Sequence, residues 1–103
     1  PEIYNLYTTE NPARSTTGFF IIHDRPNARL DIRISVYNTN GIEVWSHTEQ
    51  NVADMNTSFP ITWSLTDKNN NRLDPGIYIY RAFISAEGGK ETTKSKKLII
   101  LAE

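Results

Sequence analysis

Apolar and polar residues alternate with a period of two along much of the chain, a pattern typical of β-strands that bury one face. The clearest case is the segment 28–37, where every second residue is aliphatic: Leu30, Ile32, Ile34 and Val36. The residues between them are polar or charged: Asp31, Arg33 and Ser35. This segment is therefore predicted to be a strand with one face in the core and the other in solvent.

A second strand, at 77–84, is predicted to lie at the centre of the fold. It follows a turn at Pro75 and Gly76, and six of its eight residues are β-branched or aromatic. Apolar side chains occupy both alternating faces, which is typical of a strand covered on both sides. The remaining strands are expected to pack around it.

Five further segments have the composition of strands: 3–9, 17–23, 42–48, 59–65 and 91–101. Residues that favour turns separate the segments, at 24–27, 38–41, 66–76 and 87–90. The turns at 38–41 and 87–90 predict antiparallel hairpins, whereas the polar segment 49–58 predicts a loop that crosses the fold. Pro60 places the start of its strand at a sheet edge, because proline has no N–H to donate. Seven short strands without a helical period predict an all-β fold, a seven-stranded immunoglobulin-like antiparallel β-sandwich.

Length and composition narrow the class of protein. The chain has 103 residues, enough for one domain, and its start at Pro1 rather than Met indicates a piece of a longer protein. Eleven Lys and Arg against twelve Asp and Glu give a net charge of -1, which argues against a nucleic-acid partner. The longest apolar run, at 98–101, is far too short for direct membrane insertion. The absence of cysteine excludes disulfides, thiolate metal sites and thiol catalysis.

No set of residues has the spacing of an active site or a cofactor site. His23 and His47 are the only histidines, and neither has a cysteine or a pair of carboxylates beside it. Three serines that could be nucleophiles lack the flanking glycines of a nucleophile elbow: Ser15, Ser35 and Ser64. The chain itself is therefore predicted not to be an enzyme and to need no cofactor.

The segment 67–74 resembles the oxygen-rich start of a calcium loop, with Asp67, Asn69 and Asn71 at alternating positions. Arg72 stands where an EF-hand needs glycine, and Tyr78 stands where it needs a bidentate glutamate. The favoured interpretation is a wide hairpin connection in which Asp and Asn side chains bind their own backbone. Calcium or carbohydrate binding by this loop is left as an alternative.

Lysines crowd the last predicted hairpin, at Lys90, Lys94, Lys96 and Lys97. Lysines on a terminal strand commonly discourage aggregation between strand edges. The alternative is that this edge meets a partner, by strand addition or by charge pairing, or forms a dimer. Trp45 is a second candidate contact, with a position in the core as its favoured alternative.

Three segments together are similar to a known family: 34–44, 61–67 and 71–81. They carry the residues that match its motif: Val36, Tyr37, Gly41, Val44, Trp63, Leu73, Gly76, Tyr78 and Tyr80. This pattern resembles the immunoglobulin-like modules of flagellar hook-capping proteins and the C-terminal domains of proteins carried by the type IX secretion system of Bacteroidota. Residues 11–13 and 96–101 extend the likeness over nearly the whole chain. Within the group, the chain looks most like the C-terminal domain of the system's surface sortase.

The resemblance implies a non-catalytic sorting and docking domain at the C-terminus of a type IX-secreted protein. Such domains are recognised by the translocon and by an outer-membrane β-barrel shuttle of the PorV type, and they act at the cell surface after export through the periplasm. Cargo loses the domain to the sortase, whereas the sortase retains its own copy; which applies here is left open. Any peptidase chemistry would lie upstream.

The resemblance also implies which residues meet a partner. Gly76 and Tyr78 carry the motif, and the remaining candidates lie in the last strand: Lys94, Lys96, Lys97, Leu98, Ile99, Ile100 and Leu101. The alternative function, of another class, is a structural assembly module like the hook-capping domain. The sequence upstream of Pro1 would distinguish the two.

Overall fold

Seven β-strands account for most of the computed structural model, which describes residues 2–24, 29–53, 58–86 and 89–103, with backbone alone at 51–53 and 58–60. The strands are β1 (Ile3–Thr8), β2 (Thr17–His23), β3 (Arg29–Tyr37), β4 (Glu43–Ala53), β5 (Ser58–Trp63), β6 (Gly76–Ala86) and β7 (Thr92–Ile100). Within these ranges there is no helix of the length and apolar character needed to cross a membrane. The predicted turns at 24–27 and 87–90 lie partly outside the described residues.

The strands form two antiparallel sheets, one of three strands in the order β1-β2-β5 and one of four in the order β4-β3-β6-β7. The sheets pack face to face, which confirms the seven-stranded immunoglobulin-like sandwich. The two predicted hairpins, β3–β4 and β6–β7, are also confirmed. Pro60 lies in β5, an edge strand, where its missing N–H costs no ladder bond.

The core is built from alternate residues of the facing sheets. The inward residues of β3, namely Leu30, Ile32, Ile34 and Val36, are all buried as the alternation predicts. They meet Leu6, Phe19 and Ile21 from the three-stranded sheet within one hydrophobic cluster. One core therefore joins the two layers.

Four aromatic rings form the centre of one half of this core. The ring of Phe19 lies 5.6 Å from that of Trp63, 6.0 Å from Trp45 and 5.3 Å from Tyr80, measured between centroids. Trp45 stacks on Trp63 at 4.9 Å. Trp45 thus packs against the core and is only half-exposed, which agrees with the favoured prediction of a core position.

The prediction that β6 is covered on both faces is wrong for its outer face. Tyr78, Tyr80, Ala82 and Ile84 point into the sandwich and are buried. On the opposite face Ile77 is 49% exposed, and only Phe83 is buried there, beneath the Arg33 guanidinium 3.7 Å from its ring centroid. In a two-layer fold each sheet has only one face in the core. Apolar residues on the other face are shielded from solvent only by long side chains of the same sheet, as Arg33 shields Phe83.

The predicted crossing loop at 49–58 is also wrong over its first half, because β4 continues to Ala53. Val52 pairs with Leu30 and Ala53 with Arg29, beyond a register shift between Leu30 and Ile32. An edge strand is held by backbone ladder bonds, so polar side chains do not end it. Residues 54–57, in the second half of the predicted loop, lie outside the described residues.

Candidate interaction surface

Strand β7 is an edge strand of the four-stranded sheet and carries most of the predicted contact residues. Those on or just after it are Lys94, Lys96, Lys97, Leu98, Ile99, Ile100 and Leu101. Leu98 and Ile100 point into the sandwich and are buried. Lys96 and Lys97 are exposed, whereas Lys94, Ile99 and Leu101 are half-buried. Leu98 and Ile100 therefore serve the core, and contact with a partner would fall to the other five side chains.

Residues 11–13, here called the strap, cover the C-terminal half of the β7 edge. The Asn11 side chain accepts a hydrogen bond from the Ile99 N–H (3.0 Å) and donates one to the Lys97 carbonyl (2.8 Å). Ala13 then donates its N–H to the Ile99 carbonyl and accepts from the Leu101 N–H, both at 2.8 Å. These four bonds use the backbone groups that an added strand would need.

The N-terminal half of the β7 edge is open over residues 93–95. The strap binds both backbone groups of Ile99, so the N–H and C=O of Ile99 point to the outer edge of β7. Alternate residues of a strand point these groups to the same side, so those of Thr93 and Ser95 also point to this edge. Lys94 lies within this stretch and Lys96 follows it, and Lys96 Nζ lies 3.3 Å from Asn5 Oδ1 of the facing sheet. This open edge is too short for a long added strand and is bordered by positive charge.

Gly76 and Tyr78, the motif residues, have structural positions at the start of β6. Gly76 has a φ of 153° and pairs with Ile100, and glycine adopts such a backbone more readily than other residues. The Tyr78 hydroxyl donates to the Asp74 carbonyl at 2.7 Å. Burial, with a smaller effect of the Asp74 charge, raises the pKa of Tyr78. Both residues fix the turn into β6, where Tyr78 is buried and Gly76 is exposed.

Two arginines hold the last residues of the chain, a feature that sequence reasoning missed. Arg72 donates to the carbonyls of Arg14 and Leu101, the latter at 3.0 Å, and lies 3.7 Å from the Glu103 carboxylate. Arg14 donates to the Ala102 carbonyl at 2.7 Å. Nothing in a linear pattern signals this arrangement, because its members come from three distant segments.

The described residues contain no group of side chains that could form a metal site. Within the described ranges, no three His, Asp or Glu side chains lie close enough to hold a metal ion. His23 is buried in β2. His47 stacks on Trp45 at 6.1 Å and lies 3.5 Å from the Glu49 carboxylate.

The loop at 67–74 binds its own backbone, as its favoured interpretation predicts. Asp67 Oδ1 accepts from the N–H groups of Asn69 (2.9 Å) and Asn71 (3.0 Å). Asn70 has a φ of 64°, a left-handed conformation that asparagine tolerates. One oxygen of the Asp67 carboxylate, Oδ1, is therefore engaged by the turn.

Replacing Asp67 with alanine is expected to lower the free energy of unfolding by about 1 kcal/mol, because two turn N–H groups lose their acceptor. Urea denaturation of both proteins measures the difference. Calcium at millimolar concentration is expected to leave the melting temperature of the wild type unchanged. A rise in melting temperature that Asp67→Ala abolishes would support the calcium alternative instead.

The chain is similar to known structures rather than to known sequence families. No protein-family model matches it, and no curated protein does. Two solved structures show the fold alone. A β-glucuronidase from Parabacteroides merdae matches with a TM-score of 0.65 and 12% identity over 96% of this chain and 13% of that chain. CopC from Methylosinus trichosporium OB3b matches with a TM-score of 0.54 and 10% identity over 95% of both chains.

A third solved structure is similar in sequence as well. The crystal structure of dimeric latent PorU from Porphyromonas gingivalis matches with a TM-score of 0.84 and 28% identity over 95% of this chain. The match spans only 9% of the PorU chain. The chain is thus a small all-β domain similar to one segment of PorU.

Proposed function

We propose that the chain is a non-catalytic docking domain at the C-terminus of a type IX-secreted protein, namely a sortase of the PorU type. The likeness to PorU carries this proposal, at 28% identity and a TM-score of 0.84 over 95% of the chain. The motif around Gly76 and Tyr78 points to the same family. In this role the domain binds an outer-membrane β-barrel shuttle, PorV-like, and the type IX translocon at the cell surface.

The geometry favours docking through a limited part of the β7 strand. The strap closes its C-terminal half, so a partner strand finds open backbone groups mainly at 93–95. Lys94, Lys96 and Lys97 lie along or beside this stretch and supply charge for an acidic surface of the barrel. The rigid sandwich presents these groups without needing to rearrange.

A pull-down with the purified shuttle barrel in detergent tests the proposal. The triple substitution Lys94→Glu, Lys96→Glu and Lys97→Glu is expected to abolish capture, because it reverses the charge beside the open edge. Ser95→Pro blocks the backbone edge while leaving the lysines, so it separates strand addition from charge pairing. Lys90→Glu, outside β7, is the matched control.

Circular dichroism melts establish that each variant is folded before capture is compared. Full capture of the folded triple variant would contradict docking through β7. A wild-type domain that binds no barrel but self-associates in analytical ultracentrifugation would favour the structural assembly module instead.

A further inference from the structure

The outer face of the four-stranded sheet contains a groove of about 460 Å³ at one end of the sandwich. It is lined by Tyr37, Asn38, Thr39, Gly41, Ile79 and Arg81, and is here called the Tyr37–Arg81 groove. Tyr37 pairs with Ile79 across β3 and β6, and the β3–β4 turn forms one wall. Arg81 borders the other side. An aliphatic and aromatic floor thus lies between a turn and a cation.

The Arg81 guanidinium is held by aromatic rings rather than by an acid. Its central carbon lies 5.8 Å from the Tyr37 ring centroid and 6.0 Å from that of Phe83. The side chain is exposed, and among the described carboxylates none lies within ion-pair distance of it. Ring contacts position a guanidinium without neutralising it, so its donors remain available to an anion.

Glu43, an acid in the same sheet, already has hydrogen-bond partners within the domain. It lies opposite Tyr37 on β4, and its carboxylate is 3.0 Å from Lys68 Nζ. Hydrogen bonds from Lys68 and Ser35 hold the pKa of Glu43 below its ordinary value. Lys97, which pairs with Ile79 on β7, adds a second exposed cation near the groove. The groove therefore has a positive rim that no acid among the described residues neutralises.

We propose that the Tyr37–Arg81 groove binds an acidic segment of a partner protein. One carboxylate pairs with Arg81, and an aliphatic side chain next to it covers Ile79 and the Tyr37 ring. A polysaccharide fits less well, because Phe83 is only 9% exposed and carries Arg33 on its face, so that ring is not free to stack on a sugar. That the partner is met at the cell surface rests on the proposed docking function, whereas binding of an acidic peptide to the groove does not depend on it.

An NMR titration of the ¹⁵N-labelled chain with the capped peptide acetyl-Leu-Glu-Leu-Glu-amide tests the proposal. Amide signals of Thr39, Gly41, Ile79 and Arg81 are expected to shift, and the Gln counterpart of the peptide is expected to bind about tenfold more weakly. Arg81→Gln is expected to weaken binding by a similar factor. Lys90→Gln, beyond the opposite end of β6, removes one positive charge at a distance and is expected to change nothing.

Equal affinity for the Glu and Gln peptides, or shifts confined to the β7 edge, would overturn the proposal. Shifts at the groove with polygalacturonate but not with the peptide would overturn it in favour of an anionic polysaccharide. The NMR titration contains no shuttle barrel, and the pull-down contains no peptide. A negative result in one experiment therefore contradicts only the proposal that it tests, either peptide binding at the groove or docking to the barrel.

Discussion

Replacing Phe19 with alanine is expected to lower the free energy of unfolding by about 3–5 kcal/mol, the largest single effect in the domain. Phe19 is fully buried, and its ring contacts Trp63 in its own sheet and Trp45 and Tyr80 in the facing sheet. Truncation removes the buried ring and leaves a cavity between the layers that rigid aromatic neighbours cannot fill. Urea unfolding followed by tryptophan fluorescence measures the loss, and both tryptophans lie in the affected cluster.

The neighbouring residue provides the control. Phe20 has the same side chain one position along β2, but it faces outward, is half-buried and stacks on Tyr7 at 5.2 Å. Phe20→Ala is therefore expected to cost only about 1 kcal/mol, the value of an exposed cross-strand aromatic pair. Equal losses for the two variants would mean that the register of β2 is not the one described.

Replacing Asn11 with alanine is expected to release the strap and lower the free energy of unfolding by about 2 kcal/mol, because two hydrogen bonds to β7 are lost together. The side chain serves the Lys97 carbonyl and the Ile99 N–H at once. Hydrogen exchange is expected to accelerate at the Ile99 and Leu101 amides, with little change in the centre of β6. Exchange followed by NMR measures this difference along the sheet.

An isosteric variant separates the two hydrogen bonds of Asn11. Asn11→Asp keeps an acceptor for the Ile99 N–H but loses the donor to the Lys97 carbonyl. Its stability is expected to lie between those of the wild type and Asn11→Ala. Unchanged exchange at Ile99 in Asn11→Ala would show that the strap does not depend on this side chain.

The parts of the fold that sequence predicts are those in which local pattern and packing agree. In β3 the alternation from Leu30 to Val36 specifies which face is buried, and the Asn-rich turn ending at Gly41 specifies the hairpin. The second half of β4 could not be predicted in this way. Its residues from Glu49 to Ala53 are mostly polar, and the ladder bonds that hold an edge strand involve the backbone, which every sequence shares.

The candidate surface was predictable only in part, for a related reason. Alternation within β7 already distinguishes Leu98 and Ile100, which are buried, from Lys97 and Ile99, so the inward pair could have been recognised from the sequence. The strap could not, because the Asn11 contact with Lys97 joins residues 86 positions apart. The positive rim of the Tyr37–Arg81 groove depends likewise on the pairing of β6 with both of its neighbours.

The strap has a consequence for the order of folding during synthesis. Residues 11–13 leave the ribosome before the strand that they bind, which is completed only when Leu101 has emerged. Contacts between segments so distant form late, because closing a long loop costs entropy before any bond repays it. Until synthesis has passed Leu101, the first segment of the domain therefore stays without its partner strand, and this sheet edge closes as one of the last steps in the folding of the domain.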